Sequence, residues 1–178
     1  MLEKLIKKNI TSVPNFPKKG IIFRDITSLL ENGNVFSRIV DNISMYAKKN
    51  RITKIIGIDS RGFIFASPVA YKNKIPLVLA RKKGKLPGST FKSRYKLEYG
   101  FDELHLHRNS IRKNDKVLVI DDLIATGGTA EAAAKLVEIS GGKVAGFIFV
   151  INLFDLPGEK LLRDKGYITK SLIEFPGH

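Results

Sequence analysis

The chain has 178 residues, 43% of them hydrophobic, which is enough to bury the core of one domain. It contains no cysteine, which excludes a disulfide framework, a thiolate metal site and a cysteine nucleophile. No apolar run approaches the roughly 20 residues of a membrane-spanning helix, and the first residues lack the pattern of a secretory leader. We therefore expect a soluble protein of the reducing cytoplasm that has no membrane partner.

The charge of the chain is strongly basic, because 31 Lys and Arg stand against 17 Asp and Glu and give a net charge of +14. Such an excess is typical of a nucleic-acid surface, of a cleft for a small polyphosphate, or of a lysine-rich solvated surface. Seven basic residues and no acidic residue lie between Arg81 and Lys96, in a stretch that also contains glycine and proline. This pattern indicates a mobile loop that binds anions, and it does not favour a continuous nucleic-acid face.

The first 50 residues predict two helices joined by a connector. Leu2, Leu5 and Ile6 predict a short amphipathic helix, and residues 13–17 are typical of a Pro-rich connector. Asn34 is predicted to cap the next helix. The apolar face of that helix comprises Phe36, Ile39, Val40, Ile43 and Ala47.

From residue 54 onwards, short apolar runs alternate with helical patterns. Strands are predicted over 54–58, 76–80, 116–120, 144–150 and 168–173, and helices over 62–72, 128–139 and 157–165. The runs at 55–58 and 117–120 are apolar at every position, which is typical of strands covered on both faces. The expected fold is therefore α/β, with a doubly wound, mainly parallel sheet flanked by helices, in a single domain over residues 1–178.

The segment from Arg81 to Leu106 interrupts this alternation. It is too long for a simple connector, and alternating side chains at 95–99 and 104–107 predict an inserted antiparallel hairpin. His105 and His107 lie on one face of its second strand, and a polar sheet face is favoured over a metal site because no third ligand accompanies them. We treat residues 81–107 as a flexible flap insertion.

The strongest functional signal follows the predicted strand at 116–120. Asp121 and Asp122 end the apolar run, and the small-residue turn 125–129, Ala-Thr-Gly-Gly-Thr, opens the next helix. Glycines let backbone N–H groups approach a phosphate, threonine hydroxyls add donors, and the helix N-terminus supplies partial positive charge. Carboxylates beside such a cradle would repel the phosphate unless they bind sugar hydroxyls or a divalent metal. The pattern therefore predicts a ribose 5-phosphate site.

Rival nucleotide-binding motifs do not fit the chain. A Walker B strand needs a partner G-x-x-x-x-G-K-[ST], but Lys85 and Lys143, which each follow a glycine, are succeeded by Leu and Val. A Rossmann G-x-G-x-x-G is also absent from the sequence. A purely structural role, in which the two aspartates cap an ordinary strand–helix turn, would not require the Thr-Gly-Gly-Thr sequence that follows them.

Residues 117–129 resemble the phosphoribosyl-diphosphate (PRPP) motif of the type I phosphoribosyltransferases. Four further blocks narrow the resemblance to the adenine branch of that family, in matching order and spacing: 16–27, 59–63, 81–88 and 97–100. The resemblance implies an enzyme of purine salvage that converts adenine and PRPP to AMP and diphosphate. It also implies a small base-binding hood over residues 1–33, Mg²⁺ carried mainly by PRPP rather than by protein ligands, and a homodimer.

The resemblance assigns the PRPP contacts residue by residue. Ribose hydroxyls would bind Asp121 and Asp122, and the 5′-phosphate would bind a loop made of Ala125, Thr126, Gly127, Gly128 and Thr129. Family members often have a non-proline cis peptide after the first core strand, here expected at Asp59–Ser60. The diphosphate would bind beside it, at Ser60, Arg61, Arg81, Lys82 and Lys85.

The resemblance also assigns the base pocket and the reacting groups. The adenine pocket would comprise Ile22, Phe23, Arg24 and Leu153. The catalytic residues would be Glu98 and Tyr99 on the flap, where Glu98 would handle a purine proton as general acid/base. Relatives often have Glu where Asn152 stands, so the contacts of this chain beside the base pocket are expected to differ.

The PRPP motif alone leaves two other functions open. A 6-oxopurine phosphoribosyltransferase would share the PRPP motif, but the block at 23–25, Phe-Arg-Asp, argues against it. A PRPP-sensing regulator that binds nucleic acid would need a DNA-binding module, and the segment before residue 54 has no helix-turn-helix pattern. The expected partners are therefore adenine and PRPP, without nucleic acid.

Overall fold

The computed structural model of the protein describes residues 2–96 and 100–177. Its helices are α1 (Leu2–Lys8), α2 (Thr27–Glu31), α3 (Gly33–Lys49), α4 (Gly62–Asn73), α5 (Gly128–Ile139) and α6 (Gly158–Asp164). Its strands are β1 (Thr11–Pro14), β2 (Ile22–Asp25), β3 (Lys54–Ile58), β4 (Leu77–Lys82), β5 (Thr90–Lys96), β6 (Phe101–His107), β7 (Lys116–Ile124), β8 (Lys143–Leu153) and β9 (Thr169–Phe175).

Within the described residues, the centre of the fold is a seven-stranded sheet in the order β5-β6-β4-β3-β7-β8-β9. Strands β4, β3, β7, β8 and β9 run parallel to one another, and the antiparallel hairpin β5–β6 joins the sheet by pairing β6 antiparallel with β4. This confirms the predicted α/β fold with a mainly parallel sheet and an inserted hairpin. The flexibility of the hairpin stays a prediction.

The sheet has a hydrophobic core on each face. Ile55 of β3 packs in the core that contains α3 and α4, whereas its neighbour Ile56 packs in the core that contains α5. Because successive side chains of a strand point to opposite faces, a strand covered on both sides must be apolar at consecutive positions. The unbroken apolar runs of β3 and β7 follow from this arrangement.

The N-terminal region differs from the prediction in two places. Helix α3 is capped by Asn32, whose side-chain oxygen accepts from the backbone N–H of Val35 at 3.3 Å, so the predicted cap at Asn34 was wrong. Asn34 lies inside the first turn, where the backbone is already helical, and a cap must precede it. The predicted connector begins as β1, which pairs antiparallel with β2 in a separate two-stranded sheet. All four residues of β1 are exposed, so no apolar alternation marked it.

Two strands are longer than their apolar runs. Strand β5 begins at Thr90, before the predicted alternation, because it pairs along β6 from Thr90 to Lys96. Strand β7 continues beyond Ile120 to Ile124, which pairs with Asn152 of β8. No helix among residues 2–96 and 100–177 has the length and apolar character needed to cross a bilayer.

Candidate active site

A cleft of about 380 Å³ lies at the carboxyl ends of β3 and β7 and the start of α5. The chain passes from β3 to β4 on one side, and β7 lies on the other side of β3, so the cleft sits where the strand order reverses. Open α/β sheets bind ligands at such a position. Ten predicted site residues line it: Ser60, Arg61, Lys82, Asp121, Asp122, Ala125, Thr126, Gly127, Gly128 and Thr129.

The acidic pair occupies the floor of the cleft. The backbone N–H of Asp122 donates to Asp121 Oδ1 at 2.9 Å, and Arg61 Nε lies 3.0 Å from Asp122 Oδ2. Burial, together with the neighbouring Asp122 carboxylate, raises the pKa of Asp121 well above its usual range. Burial also raises the pKa of Asp122, although the Arg61 guanidinium opposes this shift. Hydroxyl groups that donate to these carboxylates would replace the water they lose by burial.

Gly62 brings the start of α4 against the end of β7. A Cβ atom at Gly62 would lie 2.7 Å from the carbonyl oxygen of Ile120 and 2.9 Å from Asp121 Oδ1. The first of these neighbours is backbone and cannot rotate away, so the contact requires a glycine. The sequence reasoning did not single out Gly62 as a site residue, although it stands in the block 59–63.

The loop 125–129 leads from β7 into α5. Gly127 caps the helix with φ +83°, a left-handed conformation that favours glycine, and its carbonyl accepts from the N–H of Glu131 at 2.9 Å. Gly128 passes under the flap strand β5, since a Cβ atom there would lie 3.1 Å from the carbonyl oxygen of Lys96. The resulting small-residue turn at a helix N-terminus is a suitable cradle for a phosphate.

Basic groups converge on Asp59, whose side chain is 2% exposed. The peptide bond from Asp59 to Ser60 is cis, as the resemblance implied. Arg81 Nε lies 3.0 Å from Asp59 Oδ2 and Lys85 Nζ lies 3.4 Å from the same oxygen. The backbone N–H of Lys82 donates to that oxygen at 3.2 Å.

These contacts determine the ionisation of Asp59. Burial alone would raise the pKa of Asp59, but hydrogen bonds from Arg81 and the Lys82 backbone and the charge of Lys85 outweigh it, so the pKa lies below its usual value. Arg81 and Lys85 are thus held beside the cleft rather than lining it. The sequence placed Asp59 in the expected cis peptide but gave it no role in the site, although a carboxylate directly after an apolar strand was an available signal.

The flap contributes Tyr95 to the cleft. This side chain is 6% exposed, and its hydroxyl donates to Asp102 Oδ2 at 3.1 Å. Burial raises the pKa of Tyr95 to about 12, so the phenol stays neutral. Asp102 Oδ2 also lies 3.8 Å from Lys82 Nζ. Neither Tyr95 nor Asp102 was predicted as a site residue, and the predicted catalytic residues Glu98 and Tyr99 lie outside the described residues.

The predicted adenine residues have separate surroundings in the structure. The ring of Phe23 lies 5.5 Å from the guanidinium carbon of Arg61, which brings the hood to the edge of the acidic pair. Arg24 instead donates to Ser12 Oγ at 2.6 Å and to the carbonyl of Pro176 at 2.7 Å. Leu153 is buried in the core that contains α3. Ile22, Phe23, Arg24 and Leu153 are not among the residues that line the 380 Å³ cleft.

Comparisons with known proteins agree on one family. Residues 25–176 match the phosphoribosyl transferase domain. An adenine phosphoribosyltransferase of Pelagibacter ubique is 53% identical over 173 residues, 97% of this chain and 99% of that protein. Another, from Histophilus somni, is 54% identical over 175 residues, 98% of each chain.

Solved structures of other adenine phosphoribosyltransferases share the fold of this chain. An adenine phosphoribosyltransferase from Thermoanaerobacter pseudethanolicus has a TM-score of 0.92 at 42% identity and covers 98% of this chain and 100% of its own. The enzyme of Giardia lamblia, in complex with 9-deazaadenine, has a TM-score of 0.91 at 31% identity, with 98% of each chain covered.

Proposed function

The chain belongs to the adenine phosphoribosyltransferases of the phosphoribosyl transferase domain family, and we propose that the cleft between β3 and β7 is its active site. The reaction transfers the phosphoribosyl group of PRPP to adenine, in purine salvage, and gives AMP and diphosphate. One observation supports the location above others: the carboxylates of Asp121 and Asp122 and the glycine-rich start of α5 line the same cleft.

The sugar and its 5′-phosphate bind at two ends of this segment. Asp121 and Asp122 accept hydrogen bonds from the ribose hydroxyls, which add donors to two carboxylates that each have such a contact from the protein. The loop 125–129 binds the 5′-phosphate through backbone N–H groups and the hydroxyls of Thr126 and Thr129. This division keeps the anionic phosphate away from the anionic pair.

The diphosphate leaves toward the basic side of the cleft. As the bond between the anomeric carbon and the diphosphate oxygen breaks, negative charge grows on the leaving group and positive charge grows on the ribose. Arg61 and Lys82 line the cleft, and Arg81 and Lys85 are held beside it by Asp59. Cations that are already in position stabilise the growing negative charge without having to reorganise.

The donor set of the cleft also fits Mg²⁺. This ion is usually bound by one or two carboxylates together with substrate phosphates, and the cleft offers Asp121 and Asp122 beside the proposed PRPP site. When bound, Mg²⁺ would neutralise the charge of the departing diphosphate. We propose that it enters mainly with PRPP.

Adenine binds between the hood and the sugar site. The ring of Phe23 lies next to Arg61, and we propose Ile22 and Leu153 as the apolar walls. Arg24 orders the hood through Ser12 and Pro176, and any direct contact with the base comes from its backbone. Purine N9 attacks the anomeric carbon and gives up its proton to Glu98, while Tyr99 closes over the reaction centre with the flap.

We propose a homodimer that uses an apolar surface on α4 and β4. Ile64 and Tyr71 lie seven residues apart on α4 and are 37% and 88% exposed, and Leu79 of β4 is 37% exposed. Leu79 lies on the same sheet face as Leu77, which packs against the core containing α4. Apolar surface of this kind is typical of an interface between subunits.

Sedimentation should detect a dimer of the wild-type protein. Tyr71→Lys should weaken this dimer, whereas the control Met45→Lys on α3 should not. A monomeric wild-type protein would contradict the proposal.

A product assay with PRPP, Mg²⁺ and each purine base in turn tests the function. AMP should form from adenine, and hypoxanthine and guanine should react far more slowly, because a pocket built for an exocyclic amine leaves polar groups unpaired against a carbonyl. Comparable kcat/KM for hypoxanthine would instead indicate a 6-oxopurine enzyme. Binding of PRPP without transfer, together with tight binding to duplex DNA, would indicate a regulator.

We place the reaction in the cytoplasm, in keeping with a chain that has no cysteine.

A further inference from the structure

The phosphate loop rests on Gly158, the first residue of α6, which lies outside the blocks that carried the sequence resemblance. The N–H of Gly158 donates to the carbonyl oxygen of Ala125 at 2.9 Å. A Cβ atom at Gly158 would overlap that oxygen and would lie 2.8 Å from the backbone nitrogen of Gly127. The contact is mutual, because a Cβ atom at Gly127 would lie 2.8 Å from the Cα atom of Gly158. Since the neighbours are backbone atoms, no side-chain rotation relieves either overlap.

The hydrogen bond from Gly158 also orients the loop electrostatically. A carbonyl oxygen that faced the cleft would repel a bound phosphate, and the N–H of Gly158 holds the carbonyl of Ala125 against α6 instead. The loop can then offer its N–H groups and hydroxyls to the anion. Its shape therefore depends on where α6 begins as well as on its own glycines.

A buried hydrogen bond fixes the start of α6 to the sheet. Asn152 of β8 is 2% exposed, and its Nδ2 donates to Glu159 Oε2 at 2.8 Å. Asn152 is the strand partner of Ile124, the residue that precedes Ala125. The bond thus joins the residue after Gly158 to the strand beside the loop, and Glu159 also accepts from Arg163 at 2.8 Å.

The amide of Asn152 is held in an unfavourable setting. Its Oδ1 atom is buried without a hydrogen-bond partner among the residues that the structure describes. Leucine has a similar size and would bury no unpaired oxygen, but it would also remove the hydrogen bond to Glu159. In the described part of the chain, the amide of Asn152 thus has one polar partner, Glu159, which it contacts through its Nδ2 donor.

We propose that Gly158 is a positioning residue for the 5′-phosphate of PRPP, and that the Asn152–Glu159 hydrogen bond keeps it in place. The inference rests on the proposed function, because it assumes that the loop 125–129 binds the phosphate. Gly158 itself does not line the cleft and acts through the backbone of Ala125 and Gly127.

Calorimetry with ribose 5-phosphate and steady-state kinetics test this role. Gly158→Ala should displace the loop and weaken ribose 5-phosphate binding by roughly ten- to a hundredfold, the effect of a misplacement of about 1 Å. The KM for PRPP should rise in parallel, while the KM for adenine stays at its wild-type value. Leu162→Ala is the matched control: Leu162 is fully buried on the same helix, so this change should lower stability and leave both KM values unchanged.

A second pair of variants covers the case in which Gly158→Ala does not fold. Asn152→Leu keeps the volume and removes the donor, so it should raise the KM for PRPP. The conservative variant Glu159→Gln retains an acceptor and should keep the wild-type KM for PRPP. Wild-type affinity for ribose 5-phosphate in folded Gly158→Ala, or in Asn152→Leu when Gly158→Ala is unfolded, would overturn the inference. Failure of the wild-type protein to bind ribose 5-phosphate would instead overturn the proposed function.

Discussion

Arg61 lies between the acidic pair and the hood, with its Nε 3.0 Å from Asp122 Oδ2 and its guanidinium carbon 5.5 Å from the ring centre of Phe23. It is 38% exposed, so it can reach an incoming anion without leaving either neighbour. Arginine suits this place because its planar guanidinium can stack on an aromatic ring and donate to a carboxylate at the same time. At the residue scale, the contacts proposed for sugar, base and diphosphate therefore meet at one side chain.

Asp121→Asn should stabilise the ligand-free protein at neutral pH. The pKa of Asp121 is raised in the folded state. Above the unfolded pKa of about 4, the unfolded chain therefore releases a proton that the folded chain retains. The stability of the wild-type protein falls as the pH rises toward the folded pKa. Asparagine has no such proton and can still accept from the N–H of Asp122. Thermal unfolding from pH 4 to 8 should show an advantage for the variant that grows with pH, with weaker PRPP binding.

The exposed Asp164→Asn on α6 serves as the control for this experiment, since its carboxylate is 61% exposed and forms a surface pair with Lys160. An Asp121→Asn variant with a constant or shrinking advantage as the pH rises would show that Asp121 is ionised without penalty in the folded protein.

Phe23→Ala and Glu98→Gln should affect different kinetic constants. Phe23 belongs to the proposed ground-state base pocket, so its loss should chiefly raise the KM for adenine. Glu98 is proposed to act on the base only when the flap closes, so Glu98→Gln should lower kcat by about 10²–10⁴-fold with little change in PRPP affinity. Steady-state kinetics of both variants make the comparison. Retention of kcat within about threefold in Glu98→Gln would assign the proton to another group.

At the scale of elements, the sequence predicted what apolar pattern and turn chemistry determine. Strand β3 matches its predicted bounds of 54–58 and α5 those of 128–139, because β3 is apolar on both faces and α5 begins within a glycine pair. Strand β1 was missed because all its side chains are exposed. The roles of Asp59 and Gly158 depend on backbone atoms brought together from distant segments, which spacing along the chain does not encode.

The flap hairpin should depend on Tyr95 for its attachment to the rest of the fold. Tyr95→Phe removes the hydrogen bond to Asp102 and should lower the free energy of unfolding by about 1 kcal/mol. Tyr95→Ala also removes a buried ring and should lower it by about 3 kcal/mol. Urea denaturation measures both, with the exposed Lys92→Ala on the same strand as the control. Equal stability of wild type and Tyr95→Ala would mean that the hairpin unfolds independently of the core.

At the scale of the whole molecule, the net charge of +14 makes the protein strongly positive. Asp59 and Asp102 hold Arg81, Lys85 and Lys82 at the edge of the cleft by contacts of 3.0 to 3.8 Å. A positively charged protein raises the local concentration of an oppositely charged substrate around it. PRPP carries several negative charges, so the field of the protein should act on its rate of capture.

The kcat/KM for PRPP should therefore fall as salt is added, since the Debye length is already about 10 Å at 0.1 M ionic strength. The double variant Lys82→Ala/Lys85→Ala should show a shallower dependence on salt, because it removes charge beside the cleft. Lys48→Ala/Lys49→Ala at the end of α3 removes the same charge elsewhere and should retain the wild-type slope. Equal slopes in the two double variants would attribute the effect to net charge alone.

The adjacency of α1, the hood and the end of β9 has a consequence for protein engineering. Lys7 Nζ lies 6.0 Å from the ring centre of Phe175, and Arg24 donates to the carbonyl of Pro176, so the first and last elements are spatial neighbours. A short linker from residue 177 to residue 2 would connect them, and new termini could open in the exposed turn 112–114. Such a circular permutant would make the base hood contiguous in sequence with β9 and leave the loop 125–129 uncut. Sequence variants of the hood that alter the choice of purine base could then be exchanged as one contiguous gene segment.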